Sequence, residues 1–359
     1  MKTSAPPAPR APAEPVRLDD VAREAGVSLA TVDRVLNGRA GVREGTVQRV
    51  QAAVERLAYR PDPAAARLAR QRPWRLAFVL PQGTNSFVDM LRAEIEALTP
   101  WLAGQRARAV VTQADAFAPQ AMADALTALR GECDAAVVMA QDHPLVRDAI
   151  DGLADAGTCV VTLVSDVPAR GRAHFVGIDN VAAGRTAGSL LGRFAGQNIG
   201  RVGIVMGSHS LRDHADRLFG FQQVMRAEHG HLELLPPIEG HDRSDLTEPR
   251  VRELLRQSPG LVGLYSIGAG NRGIHAALKG KVEGKAEAAA GRVVWVCHEL
   301  TPHARRALLE GAASAVIHQS PTHEVRSACR VALARLAREH LIADQERIRI
   351  EIYLKDNLP

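Results

Sequence analysis

Residues Gly268–Gly273 spell GAGNRG, a literal G-x-G-x-x-G between the apolar run LVGLYS and a helical pattern. Such a loop lets the backbone approach a pyrophosphate, and an acid ending the next strand can take a ribose hydroxyl. Glu299, at the end of RVVWVCHE, stands in that place. An NAD-dependent oxidoreductase is the reading this motif offers. The 60 residues after Glu299 are too few for the rest of a dinucleotide domain. A second stretch, HELTPH, nearly spells the zinc-protease H-E-x-x-H. Its histidines, His298 and His303, are five apart, so they would point roughly 140° from each other around a helix and could not share a metal. Pro302 also suits a helix start rather than a helix interior. Cys133, Cys159, Cys297 and Cys329 are far apart and match no zinc or disulfide framework. There is no G-x-S-x-G elbow, no P-loop, and no pair of carboxylates that suggests an acid–base couple. The expectation is a protein that is not an enzyme and needs no metal or cofactor.

A different chemistry is suggested near the N-terminus. Between Arg17 and Arg72 there are 11 Arg and 7 Asp or Glu, whereas the chain after Arg72 has no net charge. A small basic head on a neutral body is the electrostatic footprint of a nucleic-acid-binding module. Within the head, Leu18, Val21, Ala22 and Ala25 form one helical stripe, with Asp19 and Asp20 in the favourable first turn. Gly26 ends that helix, and Ser28 can cap the next. Val32, Val35 and Leu36 make the inner stripe of the second helix; Leu29, Ala30, Thr31, Asp33 and Arg34 fall largely outside it. Asn37-Gly38 stops it, and Val47, Val50, Val54 and Leu57 supply a third stripe. Two short helices at a tight turn and a third closing a small core make a helix-turn-helix, whose second helix enters a major groove.

After Trp74, short apolar strands alternate with amphipathic helices: RLAFVLP then 88–103, ARAVVTQ then 119–130, DAAVVMA then 144–156, TCVVTLV, and HFVGID then 181–195. RVGIVMG, LVGLYSIG, RVVWVCHE and SAVIHQS continue the series, each followed by a helix. Alternation of this kind builds parallel sheets, and its length calls for two lobes with the strand ends facing one cleft. No apolar run is long enough to span a membrane, and MKTSAPPAPRAPAEP lacks the apolar core of a secretory signal. It reads as a disordered leader, so the expected location is cytoplasmic.

The string LDDVAREAGVSLATVDRVLNG, continued by VQAAVERLAYRPDPAAARLAR, resembles the DNA-binding head and hinge of the lactose-repressor (LacI/GalR) family. The resemblance implies base-reading roles for Leu29, Ala30 and Arg34, and phosphate-contacting cap roles for Ser28 and Thr31. It places Asp33 and Asn37 on the same DNA-facing helix, and Ala65 and Leu68 in a hinge helix. Leu68 would wedge into the minor groove and kink the duplex. Asp33 departs from the Ser usual in the family and could accept from a cytosine amine. Asp62, where Asn is usual, adds a carboxylate beside the hinge.

The body resembles the periplasmic sugar-binding-protein-like core of the same family, and VGIDNVAAGRTAG is similar to its crossover into the second lobe. This implies ligand contacts from Asn85, Ser86 and Phe87 after the first strand, and from Ser165 and Asp166 after the fourth. Arg217 matches the arginine that clamps ligand hydroxyls or carboxylates. Ser266 stands where Asn is commoner, and His298 and Glu299 stand where an Asp is usual; Gln319 lies at the second crossover. The polar set around one aromatic suits a sugar, a polyol or a sugar acid.

The expected architecture is an all-α helix-turn-helix head on an α/β, two-lobed, parallel-sheet body. Boundaries fall at a leader 1–16, a DNA-binding domain 17–62, a hinge and linker 63–74, and a ligand-binding domain 75–359. Its first lobe is about 75–178 with 320–346, and its second about 179–319 with 347–359. The function expected is a sequence-specific transcription regulator, a repressor, answering to a small sugar-like effector. It would bind double-stranded operator DNA as a homodimer, because one short helix reads too few bases for selectivity. EIYLKDNLP carries no leucine heptads, which favours a dimer over a zippered tetramer. The alternatives are a solute-binding protein, which shares the body but not the head, and the oxidoreductase above.

Overall fold

Gly26 turns the chain between two helices because it adopts φ +61°, a left-handed conformation that side chains resist. Its N–H and that of Val27 bond back to the carbonyl of Ala22, closing α1 (Leu18–Ala25). Helix α2 (Leu29–Leu36) follows at once, and α3 (Glu44–Arg56) completes the head. Val21, Ala22, Ala25, Val32, Val50 and Ala53 are buried where the three helices meet. Arg56 of α3 pairs with Glu24 of α1 at 2.9 Å.

The computed structural model describes residues 16–36, 40–59, 72–83, 85–268, 270–283 and 293–359. They fall into two units that divide between Gln71 and Arg72. Asn37, Ala65 and Leu68 lie outside the described residues.

In the body, β1 (Trp74–Pro81), β2 (Ala107–Ala114), β3 (Ala135–Val138), β4 (Cys159–Leu163) and β5 (Arg172–Val176) form one sheet in the order β2-β1-β3-β4-β5, all parallel. Helices α4 (Ser86–Ala97), α5 (Thr99–Gly104), α6 (Pro119–Thr127) and α7 (Pro144–Asp155) connect its strands. The chain then crosses to α8 (Asn180–Ala195) and a second sheet. That sheet holds β6 (Gly200–Met206), β7 (Leu232–Leu234), β8 (Ile238–Glu239), β9 (Leu261–Ser266), β10 (Val294–His298), β11 (Ala315–His318) and β12 (Glu351–Tyr353). The order is β12-β11-β10-β9-β6-β7, with β8 also on β6; β12 is antiparallel to β11. Helices α9 (Arg212–Glu228), α10 (Ser244–Gln257), α11 (Asn271–Glu283) and α12 (Pro302–Leu309) alternate with these strands. Helix α13 (Pro321–Ala337) returns to pack on β3, β4, β5 and α4 of the first lobe before the chain crosses back to β12.

Both faces of each sheet are covered, which is why the strands are continuous apolar runs. Leu76, Phe78 and Leu80 of β1 point into one core with α4 and α13, while Val79 points into another with Met122 and Ile150. Val205, Leu264, Trp295 and Val316 line the outer core of the second lobe. Two details depart from the sequence reading. The helix expected over 88–103 is two helices that meet at Leu98, because Pro100 lacks a donor and crowds the preceding turn. Strands β7, β8 and β12 lie outside the expected series; none exceeds three residues, and Pro236-Pro237 separates the first two, so no period shows.

Candidate functional site

Two surfaces hold polar groups arranged for recognition, one on each unit. On the head, the Ser28 hydroxyl accepts from the Thr31 N–H at 3.3 Å and lies 2.9 Å from the Thr31 hydroxyl, capping α2. Val32 anchors the inner side of α2. Leu29, 45% exposed, Ala30 and Arg34 face water, and Thr31 and Asp33 are half-buried. Ala30 and Arg34, four apart, share one exposed face of this short helix, with Leu29 exposed at its first turn, an arrangement that can enter a major groove.

In the body, the strand ends of both lobes surround a cavity of about 180 Å³. Eight of the ten ligand candidates line it: Asn85, Ser86, Phe87 and Ser165 from the first lobe, Arg217, His298 and Glu299 from the second, and Gln319 from the crossover. Asp166 and Ser266 do not. The Asp166 carboxylate turns toward its own lobe, accepting from Thr162 and Arg172. Ser266 is fully buried and donates to the Asn271 side chain at 2.6 Å; Asn271, which the sequence reading passed over, takes the place in the wall. Asn271 Nδ2 in turn donates to the carbonyl of His298 at 2.9 Å.

Arg217 is the centre of the site. Glycines let α8 and α9 press together there: a Cβ on Gly184 would lie 1.9 Å from the Arg217 carbonyl oxygen. At 2% exposure, the guanidinium donates through Nε to Asn180 Oδ1 (2.8 Å) and through Nη1 to the Ile267 carbonyl (2.9 Å). Its Nη2 is buried without a partner. Ser165 Oγ, His298 Nδ1 and Gln319 Oε1 are also buried and unpartnered. Buried polar atoms are almost always satisfied, and these four exceptions all belong to residues that line the cavity.

The surrounding charges are fixed. Glu299 accepts from Gln319 Nε2 at 2.7 Å, with His318 Nδ1 at 3.1 Å. His298 Nε2 lies 2.8 Å from the buried Tyr265 hydroxyl. Burial, reinforced by the positive Arg217, holds the His298 imidazole well below its ordinary pKa, so it is neutral at pH 7. His214 Nδ1 accepts from the N–H groups of Gly207 and Ser208, leaving its Nε2 to carry the proton.

Other wall residues were missed because they come from loops with no period. Asp242 accepts from Asn85 Nδ2 at 3.1 Å, and Phe117 meets His241 edge-on at 5.3 Å; both contacts bridge the two lobes. Phe117 is 37% exposed whereas Phe87 is 5% exposed and sits in the core, so Phe117 has the freer ring. Its position just after a strand, like that of Asn85, was the available signal.

The motifs weighed for enzymatic chemistry have structural explanations. A Cβ on Gly268 would lie 2.4 Å from His214 Nε2, and one on Gly273 would lie 2.4 Å from the Ser244 carbonyl oxygen. In HELTPH, His298 ends β10 and α12 begins only at Pro302, capped by Thr301. Among the described residues no group of three or more His, Cys, Asp or Glu is placed to hold a metal ion. Nor, among them, is any helix long and apolar enough to cross a membrane.

Comparison with known proteins agrees with this division. Residues 17–62 match the family described as bacterial regulatory proteins, lacI family, and residues 76–340 match the periplasmic binding protein domain. Catabolite control protein A of Streptococcus mutans is 41% identical over 81 residues, 23% of this chain and 24% of that protein. The HTH-type transcriptional regulator pepR1 of Lactobacillus delbrueckii subsp. lactis is 42% identical over a match of the same extent. The chain thus matches about a quarter of the length of these curated relatives. Among solved structures, a solute-binding protein of a Burkholderia graminis ABC transporter, in complex with D-arabinose, superposes with a TM-score of 0.70 at 17% identity, covering 80% of this chain and 98% of that one. A Bacteroides fragilis protein described as a LacI transcriptional regulator gives 0.67 at 17% identity, with the same coverage. The chain therefore joins an N-terminal DNA-binding domain of the lacI family of bacterial regulatory proteins to a body that belongs to the periplasmic binding protein domain family.

Proposed function

We propose that this protein is a sequence-specific DNA-binding transcription regulator, acting as a repressor, whose grip on an operator is set by a small polyhydroxylated effector in the cleft. One observation carries the reading: a helix-turn-helix with an exposed reading face shares a chain with a cavity ringed by buried, unpartnered polar atoms. Leu29, Ala30 and Arg34 face base edges, Arg34 supplying the hydrogen bonds and the two apolar residues contacting thymine methyls. Ser28 and Thr31 take phosphate, and the family resemblance alone assigns the hinge wedge to Ala65 and Leu68. The similarity of the body to proteins solved with bound sugars supports a sugar-like ligand. The edge strand β2 leaves Val110 51% exposed, an apolar side chain at a sheet edge that a second copy could cover. A transport protein with the same body would have no use for the head.

The effector couples to DNA by changing the relation of the lobes. Asn85–Asp242 and Phe117–His241 are contacts between lobes at the mouth, so a ligand bound beneath them biases closure. A coupling of about 1–3 kcal/mol changes operator affinity about 5- to 150-fold.

The test is selection of bound fragments from a genomic library by the full chain, followed by fluorescence anisotropy on the selected site. Enrichment of a pseudo-palindrome bound at least about 1,000-fold tighter than bulk DNA is expected. Equal, salt-sensitive affinity for every fragment would refute the reading.

A further inference from the structure

Arg217 is a buried cation without an anion. Its hydrogen-bond partners are the neutral Asn180 amide and the Ile267 carbonyl, and among the described residues no carboxylate lies within ion-pair distance. Taking a guanidinium out of water costs several kcal/mol unless a counter-charge is close. The nearby acids are directed elsewhere: Asp213, buried one turn earlier on α9, lies 3.7 Å from His214 Nε2. Glu299 is engaged by Gln319 and His318. Glu324, at the start of α13, is fully buried with both oxygens unpartnered; burial, and then the charge of Glu299, push its carboxyl well above the usual range and so favour its uncharged form.

A second donor accompanies the guanidinium. The Tyr265 hydroxyl is wholly buried, and its partner among the described residues is His298 Nε2. Burial pushes the Tyr265 phenol up, so it keeps its proton and must place it. It donates to Nε2, which leaves the ring proton of the neutral His298 on Nδ1, a buried, unpartnered atom of a residue that lines the cavity. Arg217 Nη2 and His298 Nδ1 are therefore both donors without an acceptor, and one of them is charged.

We propose that the effector is a sugar acid, an aldonate or uronate, whose carboxylate is held by Arg217 Nη2 and His298 Nδ1 while its hydroxyls meet Gln319 Oε1 and Ser165 Oγ. The assignment rests on the cleft being the effector site. A neutral sugar would accept from both donors yet leave the guanidinium uncompensated. A phosphate, with its higher charge and three terminal oxygens, asks for more donors than these two. An acid at 298 would accept hydroxyl protons and repel a carboxylate; His298 reverses both preferences.

The experiment uses the full chain at pH 7, with thermal shift and titration calorimetry on D-gluconate, D-galactonate, D-glucuronate and D-galacturonate. D-Glucose, D-galactose and glucose 6-phosphate are the matched controls. At least one acid is expected to bind about 100-fold tighter than its neutral parent. Parents that bind as tightly as the acids would overturn the carboxylate assignment and leave the cleft as the effector site. Preference for the phosphate ester would overturn it in favour of a phosphorylated ligand. Silence across all seven compounds would overturn both the assignment and the cleft reading. His298→Asp is expected to invert the ratio of acid to neutral affinity, while His298→Asn, which keeps a donor, retains it. An unchanged ratio in a folded His298→Asp protein would remove His298 from the assignment, and the native series decides the ligand class even if that variant fails to fold.

Discussion

The head and the body present polar groups to their partners in opposite ways. On α2, Arg34 and the Leu29–Ala30 pair stand in water, and the residues that hold them, Val32 and Ser28, are neighbours in sequence. In the cleft, Arg217 and His298 are out of water, held by Asn180, Ile267 and Tyr265 from distant segments. An exposed side chain gives up its hydration only at the moment of binding. A buried one has lost it on folding, so an effector restores an interaction that the fold has forgone. The proposed DNA face is therefore suited to graded, salt-sensitive readout, and the cleft to sharp discrimination of one small molecule.

The widest test of this contrast is Arg217→Ala. Loss of a buried charge-assisted contact is expected to weaken effector binding by about 100-fold or more in calorimetry. A loss under threefold would show that the cleft is not organised around it. Arg34→Ala removes a solvated side chain, and operator affinity is expected to fall by about 1–3 kcal/mol in anisotropy. An equal loss of effector affinity would show that the two regions are not separable.

A paired substitution sharpens the comparison further. Val32→Ala and Val137→Ala each empty a fully buried site, at a cost of about 1–2 kcal/mol. Six buried residues make the core of the head, so Val32→Ala should raise hydrogen exchange across α1–α3 while the sheets stay protected. Uniform exchange in both variants would mean that the units unfold together.

The smallest effect concerns Glu324. Its folded pKa is raised above the ordinary 4.5, so the stability it contributes is complete below pH 4.5 and is lost as pH rises toward the folded value. Glu324→Gln keeps the neutral form and should raise Tm at pH 8 by a few degrees, with the gap closing near pH 4.5. A gap independent of pH would contradict a neutral carboxyl at this position.

How much the sequence shows depends on the distance between cooperating residues. In the head, the stripe from Leu18 to Ala25, the turn at Gly26 and the cap at Ser28 are each set within a few residues, and all three are visible in the string. Helix α4 was misjudged only at Pro100. In the body, the strands of four or more residues were legible from their apolar runs, and the cavity-lining positions of Asn85, Arg217 and Gln319 from their places at strand ends and crossovers. Ser266 and Asp166 show the limit: their types fit a ligand, but the wall contains Asn271 in place of one, and the other turns inward to Arg172. No local pattern distinguishes a polar side chain aimed at a cavity from one aimed at its neighbour.

The sequence alone determined the alternation of strands and helices, the basic three-helix head and the face of α2 left in water, because each follows from periodicity and caps acting over one or two turns. Only the tertiary structure decided that Tyr265 orients His298, that Arg217 is buried without a carboxylate beside it, and that Phe117 rather than Phe87 has the freer ring. Those facts depend on three chain crossings that bring residues far apart in sequence within hydrogen-bonding distance, where the loss of water gives each missing partner its energetic weight.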